Sequence, residues 1–371
     1  MSDKTIYFCY IITQTQHKHP NNDKISLISH SRREDNRAPT KTHRTAVGCI
    51  HPNLLYNSEM NKVIFIFLDG VGIGKSDASN PFFRAQTRYL PFYDSGCLLP
   101  GDIPVKAIDA CMGIPGMPMS ATGQTSLFTG TNVPALLGQH RDSYPDRAMR
   151  QIIKQHNIFS AVRALGRKPR FINAFPGPHH LFSPMYIHIK DDGELYTSPT
   201  FHSQVRRPLS VTTCMMVADR MLPFGREDIR KGRAIFHDYS NETLDGKYPG
   251  LPRYTPEQAA EIIYNTSRDY DLLLYEYFQT DFYGHGFEPE DCVALVKELD
   301  RLVGHLISLL DPAGDTLILT SDHGNIEDFN TQLHTYNPVP LLTYGFKNRE
   351  LQEQISNLAQ VKAGIQALFT S

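Results

Sequence analysis

Seven residues of this 371-residue chain belong to the types that hold metal ions or supply an activated hydroxyl: Asp69, Ser120, Asp281, His285, Asp322, His323 and His334. The densest stretch is Thr320-Ser321-Asp322-His323-Gly324-Asn325, followed by His334-Thr335-Tyr336-Asn337-Pro338-Val339-Pro340. Carboxylates and imidazoles are ligands that Mn²⁺ and Zn²⁺ accept. A hydroxyl held between two such ions is a nucleophile for a phosphorus centre.

Each group has its own local setting. Asp69 ends an apolar run and precedes Gly70-Val71-Gly72-Ile73-Gly74. In open α/β sheets ligands gather at the carboxyl ends of strands, where a carboxylate can reach an ion. The run is not a phosphate-binding loop, because Asp69 stands where the first glycine of that motif belongs. It also misses the dinucleotide spacing, since its third glycine comes one residue early. Ser120 follows the Pro/Gly-rich loop 113–119 and opens a helical stretch that Gly130 can terminate. There, free N–H groups and the helix dipole stabilise an alkoxide or a phosphoryl group. Serine at a helix start is also an ordinary cap, and Thr122, Thr125 and Ser126 are rival nucleophiles.

Asp281 and His285 are four residues apart and converge on one ion if their segment turns helically. Asp322 and His323 are adjacent, so their side chains diverge, which suits two ions. His334 lies in a Pro-rich turn. Taken singly, each has a structural explanation. Three strand ends with ligand-type side chains and a helix-starting serine together point to one site.

The elements that must position these groups are legible in the apolar pattern. Residues 61–69, 105–110, 170–174, 271–278, 315–320 and 339–344 have the character of buried strands. Helical periodicity marks 147–155, 159–165, 292–310 and 351–368. Thr255-Pro256-Glu257-Gln258 reads as a capping box with proline in the first turn. Alternating strands and helices imply an α/β fold with a mostly parallel central sheet covered on both faces. Residues 132–255 are rich in Arg and Pro and read as an inserted cap between core segments 60–131 and 256–371. Residues 1–59 lack sustained periodicity and read as a disordered leader, or as an upstream extension of a domain starting at Met60.

The formal charge of −2 provides no basic field for nucleic acid. No apolar run reaches a membrane span. Six scattered cysteines without C-x-x-C pairs suit a reducing, cytoplasmic setting.

The segments Leu68-Asp69-Gly70-Val71-Gly72, Thr320 to Asn325 and His334 to Pro340 resemble the alkaline phosphatase superfamily of metalloenzymes. They look most like the branch containing cofactor-independent phosphoglycerate mutase and phosphopentomutase. The Ser-Ala-Thr-Gly-Gln loop is also similar to that of bacterial metalloenzyme-domain proteins. The resemblance covers about 61–131 and 265–371 and implies the three-layer core of that superfamily with an inserted cap. It implies two divalent ions, Mn²⁺ or Zn²⁺: one held by Asp69, Ser120, Asp322 and His323, the other by Asp281, His285 and His334. The superfamily nucleophile precedes one glycine by three residues and another by ten, which Ser120 satisfies with Gly123 and Gly130. Phosphatase or phosphomutase action on a small phosphorylated metabolite is the implied function. Phosphodiester or phosphonate cleavage, or metal binding without catalysis, are the alternatives. The mutase pattern has His where this chain has Gln124. Sulfatase chemistry lacks its Pro and Arg after Ser120. Arg141, Arg147, Arg163, Arg170, Arg206 and Arg207 are candidate phosphate clamps, and His179, His180 and His237-Asp238 weaker acid–base candidates.

Overall fold

In the computed structural model, the described residues are 62–370, apart from 96, 97, 100, 102 and 206. The expected leader, 1–59, and Arg206 lie outside them. Six strands form the central sheet: Lys62–Leu68 (β1), Lys106–Ile108 (β2), Pro169–Phe171 (β3), Leu272–Tyr277 (β4), Asp315–Thr320 (β5) and Val339–Gly345 (β6). Their order across the sheet is β2-β6-β5-β1-β4-β3. β1 runs parallel to both β4 and β5, and β3 runs parallel to β4. β6 alone is reversed, antiparallel to β5 and to β2. The fold is therefore α/β with a mostly parallel sheet.

Continuous apolar strands arise because both faces are covered. Phe65, Phe67, Leu272, Leu274 and Ile318 enter one core. There they meet Leu127 and Phe128 of Ser120–Thr129 (α1), Ile153 of Arg147–His156 (α2), Phe159 and Val162 of Ile158–Ala164 (α3) and Met215 of Val211–Ala218 (α4). Ile64, Ile66, Leu273, Tyr275, Leu317 and Leu319 alternate with them into a second core. It is closed by Pro256–Ser267 (α5) and the amphipathic Pro289–Leu309 (α7), separated in sequence by Gln279–Gly284 (α6). The capping box at Thr255 forms as its sequence implies, with Gln258 accepting from the Thr255 amide.

Two expectations change. The periodic stretch 351–368 is not one helix: it divides into Asn348–Gln354 (α8) and Val361–Thr370 (α9). Between them the Asp109 amide donates to the Ser356 carbonyl, and Leu358 is buried, so backbone pairing to another segment replaces the helical ladder. β3 lies within 132–255 yet is the edge strand of the central sheet, because Arg170 and Phe171 register against Leu273 and Leu274 of β4.

β4 also carries a buried carboxyl, Glu276, which accepts from the Thr212 hydroxyl at 2.7 Å. Burial raises this group to about 7. Unfolding exposes a carboxyl with an ordinary value of 4.5. Between those values the unfolded chain loses the proton that the folded chain keeps, so stability falls as pH rises through the window. Glu276→Gln is expected to be more stable than the parent at pH 8 by up to roughly 3 kcal/mol, with the gap closing at pH 4. Thermal melts at both pH values check this, and a difference that does not change with pH contradicts it.

Candidate metal centre

Because β1, β4 and β5 are adjacent and parallel, their carboxyl ends meet at one edge of the sheet. Asp69 directly follows β1. Asp281 lies in the first turn of α6, just after β4, and His285 is its C-cap, so the pair does turn helically. Asp322 and His323 directly follow β5. Gly70 has φ +68°, and a Cβ there would sit 2.6 Å from Asp281 Oδ1. Only glycine lets the chain turn so close beneath that carboxylate.

Ser120 is the first residue of α1 rather than its cap. The cap position belongs to Met119, which makes no side-chain bond to the helix. The Ser120 hydroxyl is thus not consumed by capping, and its Oγ lies 3.0 Å from His323 Nε2. His323 Nε2 also faces Asp69 Oδ1 at 3.4 Å and Asp322 Oδ2 at 3.5 Å. Both carboxylate oxygens are buried without a hydrogen bond. In a second cluster, Asp281 Oδ2 is 3.4 Å from His285 Nε2, and Asp281 Oδ1 is 3.7 Å from His334 Nε2. The rings of His323 and His334 stack at 3.7 Å and join the two clusters.

All seven residues singled out by type and spacing are therefore neighbours in space. Two sets offer ligand atoms within 4.8 Å of one another: Asp281, His285 and His334, and Asp69, Asp281 and His323. Asp281 borders both.

The donor set fits divalent cations. His285 Nδ1 donates to the Gln332 carbonyl at 2.8 Å and His334 Nδ1 to the Pro118 carbonyl at 3.0 Å. Each neutral ring then presents its Nε2 lone pair to the cluster, the usual arrangement of metal-ligating imidazoles. Burial, then the Asp322 charge, raises Asp69 well above the ordinary carboxylate range. Burial also raises Asp322. Burial opposes the ionised form of Asp281 as well, but His285, His323 and His334 together bring it down to about 2. His323 is depressed by burial, yet Asp322, Asp69 and Asp281 lift it well above its usual value. Burial, then His323, lowers His334 to about 4. A buried cluster of three carboxylates that borrows positive charge from its own histidines is one that a cation would neutralise.

Three further residues hold this arrangement, and their type alone did not single them out. Glu327 is fully buried. Its Oε2 accepts from the amides of Gly72 and Asn325, both at 2.8 Å. Its Oε1 accepts from the Thr335 hydroxyl and, at 3.0 Å, from Asn337 Nδ2. One carboxylate thereby ties the loop after Asp69, the turn after His323 and the segment around His334. A Cβ on Gly72 or Gly324 would collide with that carboxylate. Gln124, where the mutase pattern has His, donates to Asp69 Oδ2 at 3.2 Å. Asn325 Nδ2 reaches Asp281 Oδ1 and His285 Nε2, each at 3.1 Å. The signal for Glu327 was its place two residues beyond Asn325 in the ligand motif.

The candidate clamps are mostly engaged elsewhere. Arg141 pairs with Asp146, Arg147 with Asp192 and Arg163 with Asp219. Arg170 stacks on the Phe224 ring at 3.6 Å. His179 packs beneath Gly225, and buried His237 lies between the Phe236 and Phe278 rings.

Residues 252–370 match the model of a family described as the Metalloenzyme superfamily. The 2,3-bisphosphoglycerate-independent phosphoglycerate mutase of Halobacterium salinarum is 31% identical over 125 residues, 30% of this chain and 24% of that protein. The protein of the same name from Rhodopseudomonas palustris is 32% identical over 100 residues, 25% of this chain and 20% of that protein. The chain thus spans a quarter or less of the length of these curated relatives. A solved structure, the PH0037 protein of Pyrococcus horikoshii, aligns with 84% of this chain and 97% of its own at 13% identity and a TM-score of 0.47. The matched region, 252–370, is similar to the Metalloenzyme superfamily and contains Asp281, His285, Asp322, His323 and His334.

Proposed function

We propose that this chain is a metal-dependent phosphoryl-transfer enzyme, with Ser120 as nucleophile and a small phosphorylated metabolite as substrate. The observation that carries this reading is the uncommitted Ser120 hydroxyl, 3.0 Å from His323 and at the first turn of a helix. Asp69, Ser120, Asp322 and His323 would hold one ion, and Asp281, His285 and His334 a second, Mn²⁺ or Zn²⁺. Bound there, the ions would lower the pKa of the serine hydroxyl and neutralise charge on the phosphoryl group.

Ser120 Oγ, having lost its proton, forms a bond to phosphorus while the bond to the leaving oxygen breaks and that oxygen takes up a proton. The dipole at the start of α1 favours negative charge on the transferred group. Water then releases phosphate, as in a phosphatase, or a second hydroxyl of the retained substrate takes the group, as in a mutase. Residues 132–255, apart from β3, are the proposed covering segment, and exclusion of water by it decides between these outcomes. A second reading, cleavage of phosphodiesters or phosphonates with an apolar group, draws on exposed Phe287, Leu333 and Tyr336, close in sequence to His285 and His334. Free thiols at Cys111, Cys214 and Cys292 accord with a reducing cytoplasm. No helix among the described residues is long and apolar enough to cross a membrane.

The test is chemical trapping. The metal-loaded chain is mixed with a panel of phosphorylated metabolites that includes phosphoglycerates, then quenched in acid, and its peptides are weighed. One phosphoryl group on Ser120 is expected during turnover. Turnover with the group on Thr122, or with no phosphopeptide and full activity in Ser120→Ala, removes Ser120 from the mechanism.

A further inference from the structure

Asn325 occupies an unusual position between two of the ligand side chains. Its Nδ2 lies 3.1 Å from Asp281 Oδ1 and 3.1 Å from His285 Nε2. An amide nitrogen is a donor only, so it is satisfying the acceptor atoms that a cation would take. Its other end is unsatisfied: Asn325 Oδ1 is buried and accepts no hydrogen bond. The residue itself is fully buried. An orphaned buried carbonyl oxygen is costly unless some other state of the molecule uses it. The backbone beneath is fixed, since the Asn325 amide donates to Glu327 at 2.8 Å. Gly284 leaves the space in which the carboxamide sits, for a Cβ there would collide with Asn325 Oδ1. The side-chain amide can therefore exchange its two ends by rotation while the main chain stays in place.

We propose that Asn325 is a further ligand of the ion held by Asp281, His285 and His334, supplying its Oδ1. This rests on the metal reading above. Without an ion the NH₂ group bridges Asp281 and His285. With one, that group would point two protons at a cation. Turning the amide removes this conflict and gives the buried oxygen its partner. An amide oxygen is a ligand that Mn²⁺ accepts readily. Asn325 thus acts as a two-position element: a hydrogen-bonding plug in one orientation and a ligand in the other.

The two roles predict opposite signs. If Asn325 were only a plug, its removal would free the site and tighten metal binding. As a ligand, its removal weakens binding. The full chain, stripped of metal, is titrated with Mn²⁺ alone by calorimetry, and with Co²⁺ alone by visible absorption to report coordination. The parent is expected to bind two ions. Asn325→Leu should bind the ion of the Asp281 set at least tenfold more weakly, a loss typical of a removed metal-supporting group, with an altered Co²⁺ spectrum. Asn325→Asp, which keeps an oxygen and adds charge, should bind more tightly than the parent. Unchanged or tighter binding by a folded Asn325→Leu overturns the proposal. If that variant does not fold, Asn325→Asp decides, and binding no tighter than the parent's overturns it. A parent that takes up no ion refutes the metal reading itself, an outcome separate from a parent that binds two ions regardless of residue 325.

Discussion

Replacing Ser120 by alanine is expected to lower kcat by at least roughly three orders of magnitude on any substrate the chain turns over, as loss of a covalent nucleophile does elsewhere. The same change should leave stability within about 1 kcal/mol of the parent. These two expectations separate because of where the hydroxyl sits. Helix α1 takes its cap position from Met119 and receives no side-chain bond there, so Ser120 does not hold the helix start. Its hydroxyl lies instead 3.0 Å from His323 Nε2. Steady-state kinetics together with a melting curve check the pair of statements. A variant that keeps most of its turnover, or one whose lost activity follows from unfolding, would show that Ser120 is structural.

The second large effect concerns Glu327, whose carboxylate reaches the proposed ligand Asn325 at its backbone amide. Its two oxygens accept from four donors contributed by Gly72, Asn325, Thr335 and Asn337. Glu327→Ala leaves these buried donors unpartnered and opens a void beside Gly72 and Gly324. Each unsatisfied group costs about 1–3 kcal/mol, so a loss on the order of 5 kcal/mol is expected, at the extreme for a single substitution. Affinity for metal should fall with it, because the loops after β1 and β5 and the segment holding His334 lose their common anchor. Glu327→Gln should be milder. Its carbonyl oxygen can keep the two backbone donors, which cannot turn, while the amide end forces Thr335 and Asn337 to rearrange. Denaturant unfolding and metal titration on both variants provide the ranking. Glu327→Ala within about 1 kcal/mol of the parent would mean that this carboxylate organises nothing.

Parts of this molecule are written locally. An apolar run with ligand-type residues at its end reads as a buried strand opening onto a site, which is why β1, β4 and β5, and the groups after them, are legible one by one. Helix α1 is marked by the loop before Ser120 and by Gly130, whose φ of +72° ends the helix in the left-handed conformation. The spacing of Asp281 and His285 implies the single turn that α6 makes.

What the chain does with those pieces depended on contacts between residues far apart in sequence. Glu327 and Gly72 are separated by 255 positions, and Gln124 and Asp69 by 55, so neither pairing leaves a periodic trace. Three of the arginines considered as phosphate clamps, Arg141, Arg147 and Arg163, pair with Asp146, Asp192 and Asp219, partners that only folding selects. The break between α8 and α9 comes from pairing with Asp109, not from a local stop signal. Sequence by itself determined which residues can ligate and which elements carry them, since side-chain chemistry and backbone periodicity are properties of neighbours along the chain. Tertiary structure alone decided that Ser120 is uncapped beside His323, that Glu327 ties three loops, and that Asn325 faces Asp281 and His285. Packing brings those atoms together, and packing is a property of the whole fold.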